Sequence, residues 1–195
     1  MQLKRRTLLS GLTASAAVPF MSAAHAKQAG ADTKWDKETD VLVIGYGGAG
    51  ACAAIEAHDK GSKVLIIEKM AQPGGNTAIS SGGFMVPQDG PTALKYLTAT
   101  YDLANSEKDD ELLNTFCKEI MGVKDWMTGL KEGTELWVYG HAGFQNLPGW
   151  EVIDKYRVRG KKRSGDCLFD LYRYAVEEKR NIPVMLETPA VQLIQ

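Results

Sequence analysis

The sequence has no excess of charge of either sign and only three histidines. Its 195 residues carry 23 basic and 24 acidic side chains, for a formal net charge of -1. Proteins that bind nucleic acid commonly present a clear basic excess. This balance therefore favours a function without a nucleic-acid partner.

The cysteines are few and form no pattern. Cys52, Cys117 and Cys167 are odd in number and widely separated. A disulfide framework, a Cys-x-x-Cys-His haem site and a zinc site all need closely spaced or paired cysteines. We therefore interpret all three as core residues and expect no metal site.

The sequence also lacks a long hydrophobic run. Its N-terminal apolar stretch, residues 8–24, is diluted by Ser, Thr, Gly and Pro, whereas a membrane-spanning helix needs about 20 strongly apolar residues. The stretch follows a basic start with Arg5 and Arg6 and ends in the small-x-small tripeptide Ala24-His25-Ala26. This pattern predicts a signal peptide over residues 1–26, and the paired arginines resemble a twin-arginine export signal. We expect a folded protein that is exported with its cofactor, for example to the periplasm, and has no stable membrane span.

The first folded segment reads as a βαβ unit. Residues 27–39 are polar and without periodicity, which predicts a linker. Val41–Ile44 and Val64–Ile67 are short, continuous apolar runs, typical of strands buried in a parallel sheet. The small residues at positions 49–58 predict a helix between them, which Gly61 ends.

The middle of the chain predicts a loop, then helices. Residues 70–90 are rich in Gly, Ser, Asn and Pro, and loops of that length inside compact domains are usually functional. In the helical section, residues 91–131, Ser106 and Asp109 predict a capping box. An apolar stripe that predicts a core face follows it: Leu112, Leu113, Phe116, Ile120, Val123, Met127 and Leu130.

The remaining residues give weaker signals. Residues 132–163 show no clear period and are expected to be irregular. Residues 165–180 predict a helix with its apolar side towards the core. Two short apolar runs, residues 184–186 and 191–194, predict strands.

A glycine-rich sequence carries the chemistry of the βαβ unit. Residues 45–50 read Gly-Tyr-Gly-Gly-Ala-Gly, a G-x-G-x-x-G that follows a strand and opens a helix, which is the context of a dinucleotide-binding loop. In such a loop Gly45 permits the tight turn, Gly47 admits the pyrophosphate, and Gly50 lets the helix pack on the strand. Amides near Ala49 then point at the phosphates from the helix N-terminus.

The residues after this loop indicate which dinucleotide is bound. Glu68 ends the second strand. A carboxylate at this position accepts hydrogen bonds from the ribose hydroxyls of an adenosine and repels a 2′-phosphate. NAD and FAD both satisfy that pattern. A second glycine-rich segment, residues 74–83, follows at the same edge of the sheet. FAD is longer than NAD and needs a backbone cradle for its flavin, so this segment favours FAD.

At these residues the sequence resembles the flavoprotein family of fumarate reductases and succinate dehydrogenases, in its soluble exported branch. The resemblance is close over residues 40–87, with Glu68-Lys69 and the Gly-Gly-Asn-Thr and Ser-Gly-Gly elements. It returns over residues 159–195, where a basic turn precedes a helix and the sequence Thr-Pro-Ala-Val-Gln-Leu-Ile.

The resemblance implies a role for individual residues. It implies that Ala49 contacts the pyrophosphate, that Glu68 binds the ribose, and that the backbone of Val191 lies against adenine. It implies a flavin lined by Asn76, Thr77, Ser81 and Gly82. The complete set of expected cofactor-binding residues is Gly45, Gly47, Gly48, Ala49, Gly50, Glu68, Lys69, Gly75, Asn76, Thr77, Ser81, Gly82, Gly83 and Val191.

Three positions depart from the family pattern. Membrane-bound members carry a flavinylated histidine where this sequence has Asn76, so we expect FAD to be bound non-covalently. Ser80 and Ser81 stand where relatives commonly carry alanine, which makes the flavin contact at Ser81 less specific.

The resemblance implies an α/β fold with a doubly wound, Rossmann-like FAD-binding domain that is incomplete in these residues. Residues 40–90 would supply the βαβ unit and flavin loop, residues 91–163 a helical and irregular section, and residues 164–195 the helix and strands that return to the domain. The family's capping domain and its catalytic Arg and His residues would follow Gln195. No catalytic residue is therefore expected here, and His58 and His141 are expected to be non-catalytic.

The implied activity is hydride transfer from flavin N5 to the C=C bond of fumarate or a similar enoate, including urocanate-type substrates. The electron donor would be a cytochrome or a quinol-linked protein. Two alternatives stay open: a dehydrogenase of ring C=C bonds, such as those of 3-ketosteroids, and a non-catalytic exported flavin carrier. The codons after Gln195 would discriminate between them, and residues 27–195 alone are expected to be poorly soluble and inactive.

Overall fold

A computed structural model describes residues 34–194. The expected signal peptide and most of the linker lie outside the described residues. Residues 34–191 belong to one compact unit, and residues 192–194 lie outside that unit. None of the helices within residues 34–194 combines the length and apolar content that crossing a membrane requires.

The first half of that unit is built on a parallel sheet, as the sequence predicts. β1 (Val41–Ile44) pairs in parallel with β2 (Val64–Ile67), and α1 (Gly48–Asp59) connects them. β6 (Val184–Met185) joins the other side of β2, which gives the order β1-β2-β6. The glycine-ended apolar runs are therefore correctly read as strands, and the α/β class is confirmed.

Residues 70–90 are more structured than a loop. They contain the short helix α2 (Gly75–Ile79) and the strand β3 (Phe84–Pro87). β3 pairs antiparallel with the distant residues Ile153–Tyr156. Pairing of that kind depends on residues about 70 positions away, which local sequence patterns do not report.

A second, antiparallel sheet corrects the expectation for residues 132–163. β4 (Leu136–His141) and β5 (Ile153–Val158) fall within this stretch, and the sheet has the order β3-β5-β4. Only a 3-10 turn at Trp150–Val152 interrupts the connection between them. The pattern was hidden because β4 is largely exposed and its pairing shifts between Val138 and Gly140, so hydrophobic alternation is lost.

Three helices occupy the predicted helical section, with one correction at a helix start. They are α3 (Gly90–Leu103), α4 (Asp110–Glu119) and α5 (Val123–Gly129). The N-cap of α4 is Asp109, whose carboxylate accepts from the Leu112 amide at 3.0 Å. Ser106 lies outside the helix, so the predicted capping box is wrong.

The apolar stripe of this section is only partly a core face. Leu113, Met127 and Leu130 are buried, whereas Leu112 is 66% exposed and Phe116 is 45% exposed. Adjacent positions 112 and 113 point about 100° apart on a helix, and only one of them faces the core. The expectation that the whole stripe is buried is therefore wrong.

The last predicted helix and strands also differ in detail. α6 (Ser164–Arg173) continues into a π-helical turn at Tyr174–Glu178. The apolar side of α6 packs in the main core with α1 and β2, as expected. Residues 191–193 form no strand, so the predicted final strand is wrong.

Candidate functional site

The glycine loop makes a tight connection between β1 and α1. Gly45 has φ +98°, a conformation that side chains rarely adopt, and its amide donates to the Ile67 carbonyl at 2.8 Å. A Cβ on Gly50 would overlap the carbonyl oxygen of Gly45. The loop therefore needs glycine at position 45 for its backbone angle and at position 50 for close packing of helix on strand.

The start of α1 presents backbone donors. Gly47 is the N-cap and has no side chain to occupy the space in front of the helix. Ala49 and Gly50 lie in the first turn, where the helix itself supplies no acceptor for the amides. The α1 dipole adds partial positive charge at this end. The arrangement suits a bound pyrophosphate.

Glu68 lies beside this loop as a buried, oriented carboxylate. It is 8% exposed. One carboxylate oxygen accepts from the Tyr46 amide at 2.7 Å, and the other accepts from the Met70 amide at 2.9 Å. The Tyr46 hydrogen bond is the largest influence and holds the pKa of Glu68 below its usual value, although burial opposes it. Each oxygen keeps a lone pair for a further donor such as a ribose hydroxyl.

The second glycine-rich segment is attached directly to the glycine loop. The Gly74 amide donates to the Tyr46 carbonyl at 2.7 Å, and Gly47 and Gly74 form a parallel bridge. The Gly48 amide donates to the Thr77 hydroxyl at 3.0 Å. The structure thus brings the two segments together at one edge of the parallel sheet, as the FAD interpretation requires.

The flavin segment is also fixed against α6. Gly82 has φ +63°, and a Cβ there would overlap the backbone of Ser164. A Cβ on Gly165 would lie 2.5 Å from the Ala78 carbonyl oxygen. Gly82 and Gly165 therefore allow two backbones to meet, which holds the segment in place without a ligand.

Several expected cofactor residues lie open to solvent. Ala49, Lys69, Gly75, Asn76, Ser81 and Gly83 are exposed, and Val191 is 91% exposed. Exposure leaves their surfaces free to meet a ligand. The expected contact of Val191 with adenine and the individual flavin contacts stay predictions.

Sequence reasoning missed three supporting residues. Tyr46 is fully buried, and its ring packs edge-on against Phe169 at 5.3 Å. Phe169 lies close to Gly74, so the pair of Tyr46 and Phe169 packs against both glycine-rich segments. The Thr188 amide donates to the Glu68 carbonyl at 2.8 Å. In the sequence, the only sign of this support is the large side chain of Tyr46 at the variable position after Gly45.

These features fit FAD. A cradle lined by glycine backbone, helix-end amides and an ionised carboxylate matches pyrophosphate and ribose in chemistry. The attached second segment, residues 74–83, extends the cradle beyond the length that a mononucleotide would need. A Cβ at position 47 would lie 3.7 Å from the Gly74 carbonyl oxygen. A side chain there would therefore narrow the space between the glycine loop and the second glycine-rich segment.

Comparisons with known proteins agree with this fit. The FAD binding domain family matches residues 40–195. The acrylate reductase flavoprotein subunit of Shewanella woodyi is 49% identical over 87 residues, which cover 44% of this chain and 17% of that protein. The NADH:fumarate oxidoreductase of Klebsiella pneumoniae is 33% identical over 182 residues, which cover 89% of this chain and 19% of that protein.

A solved structure shares the fold. The 3-ketosteroid delta1-dehydrogenase from Sterolibacterium denitrificans superposes with a TM-score of 0.67 at 18% identity, over 77% of this chain and 40% of that one. The chain spans less than a fifth of the two curated relatives described above.

Proposed function

Because the chain belongs to the FAD binding domain family, we propose that it forms the cofactor-binding part of an FAD-dependent oxidoreductase that reduces the C=C bond of fumarate or a similar enoate. FAD is the cofactor, and we propose that it is bound non-covalently. The observation that supports the proposal most is the direct attachment of the flavin segment to the glycine loop through Gly48 and Thr77.

The role proposed for the residues of this chain is to bind FAD and to orient it. The first-turn amides of α1 would donate hydrogen bonds to the pyrophosphate and offset its negative charge. The Glu68 carboxylate would accept hydrogen bonds from the ribose hydroxyls. The segment from Gly74 to Gly83 holds the flavin at the end of the sheet. When bound, FAD supplies the hydride chemistry. We assign donation of the proton to none of the residues 34–194.

The names of the relatives support an enoate substrate. Acrylate and fumarate both contain a C=C bond conjugated to a carboxylate, and the two relatives named for them match this chain over 87 and 182 residues. The whole protein's substrate and electron donor are part of the proposal. A cytochrome or quinol-linked protein would serve as donor outside the cytoplasm.

A dehydrogenase of ring C=C bonds is the second candidate. The observation that favours it is the superposition on the 3-ketosteroid dehydrogenase, although at 18% identity that likeness speaks for the fold alone. A non-catalytic flavin carrier is the third candidate, because the site formed by the described residues accounts for cofactor binding alone.

One assay separates the three. The full-length protein, loaded with FAD, is mixed anaerobically with reduced methyl viologen and fumarate, acrylate or urocanate, and in parallel with a 3-ketosteroid and an artificial electron acceptor. We expect enoate-dependent oxidation of the viologen above the rate with free FAD. Activity only with the steroid would favour the dehydrogenase, and a reducible flavin without turnover of any substrate would favour the carrier.

We also propose export through the N-terminal residues. Changing Arg5 and Arg6 together to lysine keeps the charge and removes the arginine pair. Cell fractionation should then find the FAD-loaded protein retained in the cytoplasm, whereas the unchanged protein is recovered outside it. Export of folded, FAD-loaded double-lysine protein would contradict the twin-arginine assignment.

A further inference from the structure

Arg157 occupies a special place in the antiparallel sheet. It lies on the central strand β5, directly opposite Trp137 of β4. On the other side β3 pairs Phe84 with Tyr156, and continuing that register by one residue brings Arg157 opposite Gly83. The arginine therefore stands where the flavin segment enters the sheet.

Tyr139 connects Arg157 with the flavin segment. The guanidinium carbon of Arg157 lies 3.9 Å from the centre of the Tyr139 ring, a distance at which a cation is held by the face of an aromatic ring. At the other end of the ring, the Tyr139 hydroxyl takes the place that a Cβ on Gly83 would occupy. One phenol ring therefore separates the cation from the expected flavin contact.

Arg157 has no carboxylate partner among the described residues. Its Nε is buried and has no hydrogen-bond partner there, and none of the ion pairs within residues 34–194 includes it. A buried donor without an acceptor is unfavourable. This guanidinium is therefore suited to an acceptor that arrives from elsewhere.

The neighbouring Arg159, which directly follows β5, is an arginine that already has a carboxylate partner. It lies 6.0 Å from the Trp137 ring, and its Nε pairs with Glu135 at 3.2 Å. Its side chain is 62% exposed. The two arginines are two residues apart and share an aromatic neighbour, and they differ in burial and in the presence of a carboxylate.

We propose that Arg157 binds a carboxylate of the substrate and so contributes to specificity for enoates. The inference rests on the proposed function. A guanidinium binds a carboxylate through two parallel N–H donors, and the contact with the Tyr139 ring holds the Arg157 guanidinium in place. The shared chemistry is a carboxylate, and the source assigned here is the substrate rather than an acidic side chain of the longer protein.

The test uses full-length, FAD-loaded protein with oxidised flavin, so that ligands bind without turnover. The variants are Arg157→Gln, which removes the charge, and Arg157→Lys, which keeps the charge without the paired donors. Arg159→Gln is the matched control. Calorimetry and the change in flavin absorbance measure the dissociation constants of fumarate and of its neutral diamide, and urea unfolding measures the stability of each protein.

We expect Arg157→Gln to weaken fumarate binding by about 10- to 100-fold, the effect of one charged hydrogen-bonding group. Arg157→Lys should weaken it less, and diamide binding should be the same in all four proteins. Arg159→Gln should bind fumarate as the unchanged protein does.

Three results would overturn the inference. Unchanged fumarate affinity in Arg157→Gln together with a lower urea midpoint would assign Arg157 to an internal ion pair. Equal losses for fumarate and the diamide would show a general disturbance of the site. Unchanged protein that binds and reduces no enoate would reject the proposed function itself, a result that is distinct because it appears without any substitution.

Discussion

Thr77 joins the two glycine-rich segments, because its hydroxyl accepts a hydrogen bond from the Gly48 amide at 3.0 Å. The two residues are 29 positions apart, and one opens α1 while the other lies in α2. The contact is part-buried. It links the part of the site expected to hold pyrophosphate with the part expected to hold flavin.

Replacing Thr77 with valine should therefore loosen the site. The change keeps the shape of the side chain and leaves the Gly48 amide without its acceptor, which costs about 1–3 kcal/mol. We expect a lower free energy of unfolding in urea for the FAD-free protein and weaker retention of FAD. Thr77→Ser keeps the hydroxyl and should restore both.

Thr128→Val is the control for that experiment. Thr128 is partly buried, and its hydroxyl donates only to carbonyls of its own helix. Its substitution should leave FAD retention unchanged. Equal behaviour of Thr77→Val and Thr128→Val would show that the link between the segments is unimportant.

Glu68 should be the strongest single determinant of FAD affinity in this chain. Glu68→Gln keeps the size of the side chain and removes the charge that ribose hydroxyls and two backbone amides meet. Charged hydrogen bonds contribute about 1.5–3 kcal/mol each, so affinity should fall roughly 10- to 100-fold. Fluorescence titration of the stripped protein with FAD measures this. Affinity equal to that of the unchanged protein would remove Glu68 from the ribose site.

The same carboxylate predicts a pH dependence of stability. Hydrogen bonds hold the pKa of Glu68 below its usual value in the folded protein, so its stabilising contribution is present above the unfolded pKa of about 4.3. The contribution is lost as the pH falls through the lower, folded pKa. In urea unfolding of FAD-free protein, the stability difference between unchanged protein and Glu68→Gln should be constant above about pH 5 and shrink below pH 4. A difference that does not change over this range would show that Glu68 has an ordinary pKa.

The site could be predicted from the sequence where its information is local. The strand–glycine–helix order and the position of Glu68 at a strand end follow from short runs of adjacent residues, and both are found as expected. Strands of a parallel sheet are apolar throughout, which makes β1 and β2 easy to recognise, although burial of β1 on both faces is not found, since Leu42 and Ile44 are 47% and 53% exposed.

The rest depends on contacts between distant residues. β4 has no buried residue, three consecutive residues of β5 are of intermediate burial, and a bulge interrupts their pairing, so no period is visible. The pairing of Arg157 with Tyr139 and the support of Gly74 by Phe169 arise from this three-dimensional arrangement. Neither is expressed in the order of neighbouring residues.

Asn76 predicts how flavin leaves the protein. An amide side chain does not form the covalent flavin bond that a histidine forms in membrane-bound members of the family. Denaturation by acid or heat should therefore release all the flavin as intact FAD, measured by chromatography of the supernatant. Flavin fluorescence that stays with the polypeptide on a denaturing gel would contradict non-covalent binding.

Gly50 should tolerate no side chain, and this is the sharpest test of the packing of α1 on β1. A Cβ at position 50 would overlap the Gly45 carbonyl oxygen and lie 3.2 Å from the Val43 side chain. The obstacle is backbone, so α1 would have to move away from the strand and carry the first-turn amides with it. We expect Gly50→Ala to lose most of its soluble yield and FAD, and any soluble protein to unfold at lower urea concentration.

Gly122→Ala is the matched control, because a Cβ there meets nothing within 4 Å and the backbone has φ -81°. That substitution should be neutral or stabilise by about 0.4–1 kcal/mol through the unfolded chain. Equal urea midpoints for Gly50→Ala and the unchanged protein would show that the helix does not need this close approach, and the glycine loop would then have to be explained by ligand contact alone.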